Sequence, residues 1–404
     1  MIENTLLLAV ATLVAVRLFL PRVRDSRDWR ATVTPLASII GSGFLVAAPL
    51  LYHAVNGWSV LAMAGIVVLA YSIGGVVRYN IRHAEPLLES GSSSDRLALT
   101  VTELLSSLVL SIAYVISVAF YLRLLASFVL RALEIESELL ANVITTGILV
   151  FIAVNGAWRG LSGLERLEES AVNVKLSIIA ALLVGLAWFD LSGWLEGSID
   201  VVFHPVTDWP DTLRNLAGVL LIVQGFETSR YLGAEYDAQT RIRTMRYAQL
   251  LSGVVYLLFI ALITPLVSDF HESHDETVII AISAMVALVL PAMLTVAAAM
   301  SQFSAAVADT VGSGGLLADI SHHRLTPSRG YILVSLAAIA LVWSASIFEI
   351  ISIASRAFAA YYLLQCVVAL LAARGRGHYW QQAGFIGVGV VLLWVVIFAI
   401  PAEG

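Results

Sequence analysis

Apolar residues fall in long runs along this chain, separated by short polar stretches that carry most of its arginines. A helix that crosses a bilayer needs roughly 20 consecutive apolar residues. Runs of that kind occur near 4–20, 31–53, 58–77, 98–129, 142–157, 170–189, 212–233, 246–267, 277–308, 329–345, 347–373 and 381–400. The pattern predicts an all-α polytopic membrane protein with about twelve transmembrane helices. No hydrophilic stretch exceeds about twenty residues, so no sizeable soluble domain is expected. The first run, Glu3 to Leu20, is too long for a signal peptide and no small-residue cleavage site follows it. It reads as a retained helix.

Composition and charge sharpen the picture. Hydrophobic residues make up 59% of the chain and charged residues 13%, where a soluble chain carries about 25% charged residues. The mean hydropathy is +0.89. In such a protein the partner is the lipid bilayer, and a net charge of −6 gives no reason to expect nucleic acid. The single cysteine, Cys366, lies in an apolar run, which excludes an intrachain disulfide and a cysteine metal cluster. Cytoplasmic loops carry the excess of arginine and lysine. With the N-terminus outside, the inner loops hold Arg22, Arg24, Arg27, Arg30, Arg78, Arg82, Arg96, Arg159, Arg166, Arg241, Arg243, Arg246, Arg324, Arg329, Arg374 and Arg376. The outer loops then hold only Arg131 and Arg214, and are acidic through Glu134, Glu136, Glu138, Glu196, Asp200, Asp208, Asp269, Glu272 and Asp275. Both termini are expected outside, in a bacterial cytoplasmic (inner) membrane.

Two spans are interrupted. The second carries Gly41-Ser42-Gly43 and the seventh carries Gln224-Gly225-Phe226-Glu227. Glycine is a poor helix former. Freed backbone groups are tolerated in a membrane only where protein or a water-filled cavity satisfies them. Small residues can otherwise serve close helix packing. The two interrupted spans are five helices apart and enter from opposite sides. That is the pattern of inverted repeats whose discontinuous helices build a midplane site. The expected organisation is an extra helix and inner loop in 1–30, a first repeat in 31–191, an outer loop in 192–210, a second repeat in 211–373 and a last helix in 374–404.

Three short segments carry a resemblance. Ile39-Ile40-Gly41-Ser42-Gly43-Phe44, Val174-Lys175-Leu176-Ser177-Ile178-Ile179 and Gly225-Phe226-Glu227 resemble the first, fifth and sixth core helices of the amino acid–polyamine–organocation (APC) transporter superfamily. The resemblance spans most of the chain. It departs from the superfamily in its extra leading helix and single trailing helix. Arg230-Tyr-Leu-Gly-Ala-Glu-Tyr-Asp and Ala297-Ala-Ala-Met-Ser301-Gln-Phe-Ser304 look more like the sodium/solute symporter family. Both groups imply the LeuT-type five-plus-five inverted-repeat fold. The first implies a substrate with a carboxylate and an amine, and a proton-coupling lysine on the fifth core helix.

The expected substrate site is Ile40, Gly41, Ser42 and Gly43 with Gln224, Gly225, Phe226 and Glu227. A helix restarting after Gly43 offers free N–H groups to an anion. Carbonyls freed near Gln224 and Gly225 suit an ammonium, and Phe226 would shield it. Glu227 is expected to pair with Arg230 or Arg123; with Arg230 the pair could be purely structural. Lys175 is the only lysine in the chain. An ionisable residue inside a membrane segment is a functional candidate by default, and lysine, unlike arginine, can release its proton. It lies ~9 Å from the cytoplasmic face at 1.5 Å per residue. In the resembling fold this position faces the first and eighth core helices, so its ammonium would meet carbonyls near Ile40 and Gly41 and the hydroxyls of Ser301 and Ser304. The alternative is a snorkelling lysine.

Arg123 and Arg356, with Glu349 two turns before Arg356, read as buried ion pairs or anion binders. Glu103 is expected to be solvated at the inner surface. His322 and His323 read as solvated loop residues with no third metal ligand near. Gly312-Ser-Gly-Gly315 reads as a loop that lacks the lysine and strand of a phosphate-binding loop. No catalytic triad, zinc motif or nucleotide fingerprint is present, so neither an enzyme nor a cofactor is expected. The expected function is alternating-access secondary transport of an amino acid or related small solute, coupled to protons through Lys175. Alternatives are a sodium-coupled symporter of the same fold, an inorganic-ion carrier, or a transporter-like membrane sensor. The sensor is disfavoured because a chain ending at Gly404 outside the membrane carries no cytoplasmic signalling domain.

Overall fold

Within lipid a chain must satisfy its backbone groups internally, and helices do this within one segment. The computed structural model, which describes residues 2–41, 43–89, 95–133, 135, 137–197, 203, 208–233, 235–267, 278–321, 324–345, 347–374 and 376–398, is accordingly almost wholly helical. In chain order the helices are α1 (Ile2–Phe19), α2 (Pro21–Arg24), α3 (Arg27–Ile39), α4 (Gly43–Val55), α5 (Ser59–His83), α6 (Glu85–Glu89), α7 (Asp95–Ala132), α8 (Glu138–Glu196), α9 (Trp209–Val219), α10 (Ala238–Val267), α11 (Val278–Val286), α12 (Leu290–Ile320), α13 (Pro327–Ser344), α14 (Ile347–Ala373) and α15 (Tyr379–Phe398). Two 3-10 segments, Leu220–Val223 and Phe226–Tyr231, follow α9. Among the described residues eight helices are long and apolar enough to cross a membrane.

Local chemistry sets the interruptions. Gly160, at φ 61° and ψ −156°, divides the long α8 in two, and a side chain is strained at that positive φ. Asp237 caps α10. Its carboxylate accepts the Thr240 amide at 2.9 Å and the Thr240 hydroxyl at 2.8 Å, and these bonds hold its pKa below the usual carboxylate range.

α7 packs against α12 and α14, α8 against α1, α12 and α13, and α10 against α3 and α5. The main apolar core joins Leu36, Ile40, Phe44, Tyr256, Phe259 and Leu294. A second gathers Val118, Leu122, Leu164, Val307 and Tyr331. Gly312–Gly315 is not the expected loop. It lies inside α12, where a Cβ on Gly314 would overlap the Tyr331 ring and one on Gly330 would lie 2.9 Å from the Gly314 Cα. Small residues let α12 and α13 meet backbone to backbone.

Candidate functional site

The first interruption is a true break. α3 ends where Ile40 takes φ −85° and ψ 59°, and α4 restarts at Gly43. The second follows α9, which tightens into a 3-10 turn before Gly225 swings to φ 109°. The two breaks touch. A Cβ on Gly43 would lie 2.5 Å from the Ile222 side chain, and one on Gly225 would overlap Ser38. Glycine at these positions therefore serves close approach of the two broken segments. A leucine at Gly43 would strike Ile222 before it could cover any ligand.

The freed carbonyls are satisfied by side chains. The Tyr256 hydroxyl, from α10, sits 3.0 Å from both Ile39 O and Ile222 O, one carbonyl from each broken segment. Ser301, from α12, is 2.7 Å from Ile40 O and 2.8 Å from Gly41 O. Lys175 completes the set from α8. Its ammonium donates to Ala37 O at 2.9 Å, Ile40 O at 2.5 Å and the Ser304 hydroxyl at 2.8 Å. An ammonium has three donors, and all three are used here. The side chain is 0% exposed. Its head is turned into the break and does not snorkel toward the headgroups.

Glu227 is also 0% exposed. Its Oε2 accepts the Gly225 amide at 3.0 Å and the Tyr362 hydroxyl at 2.5 Å. Its Oε1 has no hydrogen-bond partner among the described residues, nor do the Tyr114 hydroxyl, Gln224 Oε1 and the Ser229 hydroxyl. Phe226 stacks on Tyr362 with ring centroids 5.2 Å apart.

The expected pairing of Glu227 with Arg230 or Arg123 is not formed. Arg230 pairs with Glu103 at 3.1 Å and Glu85 at 3.4 Å and also bonds Gln365. Two carboxylates from neighbouring elements hold it away, while Glu227 folds back on its own segment. Glu103 is therefore an ion-pair partner and not a solvated surface acid. Arg123 reaches Glu138 at 3.7 Å, beyond the end of its helix. Arg356 is exposed, so it makes no buried pair. Ser42, His322, His323 and the Glu349 side chain lie outside the described residues.

Sequence reasoning missed five residues here: Tyr256, Tyr362, Tyr114, Asp309 and Glu168. Asp309 is 1% exposed. Its Oδ1 accepts the Ser38 hydroxyl at 2.8 Å and its Oδ2 accepts the Ser117 hydroxyl. Hydropathy ended the ninth span at 308, but α12 runs on to Ile320 and carries Asp309 into the interior. Glu168 is fully buried and accepts the Thr34 hydroxyl at 3.2 Å.

Comparison with known proteins agrees with this architecture. The chain matches the description APC superfamily transporter over residues 21–399. It belongs to the APC transporter superfamily. An uncharacterized protein of Aquifex aeolicus (strain VF5) is 46% identical over 387 residues, 95% of this chain and 93% of the relative. Among solved structures, MhsT in complex with L-phenylalanine is similar with a TM-score of 0.64 at 13% identity, covering 93% of this chain and 99% of that one. A Na+-coupled sialic acid symporter in a substrate-bound outward-open state is similar with a TM-score of 0.58 at 11% identity, covering 99% and 98%. These are LeuT-fold transporters. The APC chain is thus a secondary transporter in a membrane, and its family and fold are those of transporters and not of enzymes.

Proposed function

We propose that this APC transporter moves an amino acid or related small organic solute by alternating access and couples that movement to protons through Lys175. The observation that carries the coupling is the set of bonds from one buried ammonium to Ala37 O, Ile40 O and Ser304. A cation is thereby fixed at the seam between α3, α8 and α12, and lysine is the basic side chain that can release its proton there. Glu227, buried and without a basic partner among the described residues, supports an amine on the substrate. Buried charges without a partner are costly, and a substrate ammonium would supply one. The amides that open α4 supply an anion site of the helix N-terminal type for a carboxylate.

In this reading the chain crosses the membrane twelve times as two inverted repeats, 31–191 and 211–373, with one helix before and one after. Its arginine-rich loops face the cytoplasm, and both termini lie outside a bacterial inner membrane. A sodium-coupled symporter is the second reading. It is favoured by the Ser301 hydroxyl beside Ile40 O and Gly41 O, and opposed by the ammonium that already occupies the same carbonyl. A thermal-shift screen of purified protein against amino acids, amines, carboxylates and inorganic ions identifies the ligand class. Uptake of the stabilising ligand into proteoliposomes, under separately imposed pH and sodium gradients, then tests the coupling. An acid-outside gradient is expected to drive uptake, and a sodium gradient alone is not. Uptake driven by sodium alone would overturn the proton reading.

A further inference from the structure

We propose that Glu168 is the carboxylate through which Lys175 exchanges its proton with the cytoplasmic side. The inference rests on the proton-coupled reading of Lys175. A cavity of about 490 Å³ lies at the arginine-rich end of the protein, and its walls include Arg24, Arg30, Thr34, Glu165, Arg166 and Glu169. Glu168 stands behind this wall, 0% exposed. Thr34 belongs to both sides: it lines the cavity, and its hydroxyl donates to Glu168 Oε2 at 3.2 Å. The other oxygen, Oε1, has no hydrogen-bond partner among the described residues.

Helix geometry links Glu168 to Lys175. The two are seven residues apart on α8, an axial rise of about 10 Å that returns to nearly the same face. Side chains on a helix lean toward its N-terminus, so the long lysine stem reaches back toward Glu168. The acceptors agree. Lys175 binds Ala37 O and Glu168 binds Thr34, and these positions on α3 are only about 4.5 Å apart along the axis. The charged groups that act on Glu168 are Glu165 and Lys175 on α8 and Asp309 on α12. Glu165 is paired with Arg30 at 2.8 Å, and both Asp309 oxygens already accept serine hydroxyls. Glu168 is the member of this group with a free oxygen.

The step is a proton transfer in two moves. Once it leaves its Ala37 O contact, the Lys175 ammonium gives a proton to the Glu168 carboxylate, leaving a neutral amine and a carboxylic acid. The acid then passes that proton, by way of the Thr34 hydroxyl that lines the cavity, to water there, and the carboxylate is restored. Loading runs the same moves in reverse.

A single lysine makes the test specific. Full-length protein labelled with lysine carrying 13C and 15N at the side-chain end gives one resonance, from Lys175. Its shift is followed between about pH 5 and 10, below the ordinary lysine range, together with the exchange rate of its protons. Wild-type protein is expected to titrate. Glu168→Gln, which keeps the Thr34 contact, is expected to slow exchange at least about tenfold, toward the roughly 100-fold that a positioned proton acceptor supplies. Glu168→Asp should restore much of it, and Glu165→Gln should leave it near wild type. Wild-type exchange rates in Glu168→Gln overturn the relay and leave the Lys175 reading intact. So does a changed titration midpoint with an unchanged rate, which marks a purely electrostatic neighbour. A wild-type lysine resonance that never titrates overturns the Lys175 reading and the relay with it.

Discussion

Replacing Lys175 with methionine keeps an unbranched side chain, one atom shorter, and removes its charge. The ammonium makes three hydrogen bonds, and bonds from a charged donor contribute about 1.5–3 kcal/mol each. Summed naively, their loss would cost about 6 kcal/mol. Two effects reduce this. Holding an ammonium out of water costs several kcal/mol, which the methionine does not incur. The stranded acceptors are also fewer than three. Ile40 O keeps the Ser301 hydroxyl, and Ser304 keeps its own bond to Ser301 O at 3.0 Å. Ala37 O is the acceptor left without its donor, at about 1–3 kcal/mol for a buried orphan. The expected net loss is therefore about 2 kcal/mol, a fall in Tm of roughly 2 °C for a chain of this length, and a folded protein. Transport should lose its response to an imposed pH gradient. Lys175→Arg should not restore it, because a guanidinium keeps its proton. Thermal unfolding in detergent and uptake into proteoliposomes measure the two effects. An undiminished pH response in Lys175→Met would refute the coupling role. A loss of fold in Lys175→Met would instead make the ammonium a structural clamp.

Three further outcomes follow from the same geometry. Tyr256→Phe removes the hydroxyl shared by Ile39 O and Ile222 O and should cost about 1–3 kcal/mol, read as a lowered Tm that added ligand partly recovers. Glu227→Gln keeps an oxygen for the Gly225 amide and Tyr362, so Tm should move little while the ligand-induced thermal shift of an amine-bearing substrate is lost; an unchanged shift would remove Glu227 from the substrate site. Gly225→Ala places a side chain at φ 109° against Ser38, where left-handed backbone alone costs about 1–2 kcal/mol, and expression and ligand response should fall together; a variant matching wild type in both would refute the close approach of the two breaks.

What was legible in the sequence was whatever left a mark on hydropathy or helix propensity. Glycines at 41, 43 and 225 marked the breaks, and a lone lysine inside an apolar run marked itself. The contact of Lys175 with Ile40 O and Ser304 was readable because the resemblance supplied the facing helices. Glu168 and Asp309 were not readable. Each lies just outside an apolar run, at 170–189 and 277–308, where a carboxylate looks like the start of a loop. The stretch of α8 around Glu168 and that of α12 around Asp309 are buried by neighbouring helices, so the helices continue past the point where hydropathy falls. Glu227 and Arg230 misled for a related reason. Three residues apart, they look like natural partners, but the choice was made by Glu85 and Glu103, far away in the chain. Tyr256 left no signal, since one hydroxyl in an apolar helix shows nothing of the two carbonyls it meets.

In the proton-coupled reading of Lys175, a proton biases a conformational equilibrium of this transporter. Ile40 O is approached from two directions, by Lys175 on α8 and by Ser301 on α12. Any movement of α3 away from α8 and α12 must break the lysine's bonds to Ala37 O and Ile40 O. Bonds from a charged donor contribute about 1.5–3 kcal/mol, and bonds between neutral groups about 1 kcal/mol. Over the two bonds to Ala37 O and Ile40 O the protonated and neutral amines differ by about 2 kcal/mol in what they hold in place. That corresponds to roughly a thirtyfold change in the equilibrium between a state with α3 docked and one with it released. A ligand shifts a two-state equilibrium only by its differential affinity for the two states. A proton on Lys175 has that differential affinity, because every acceptor of its ammonium lies on α3 or α12 and none on its own helix.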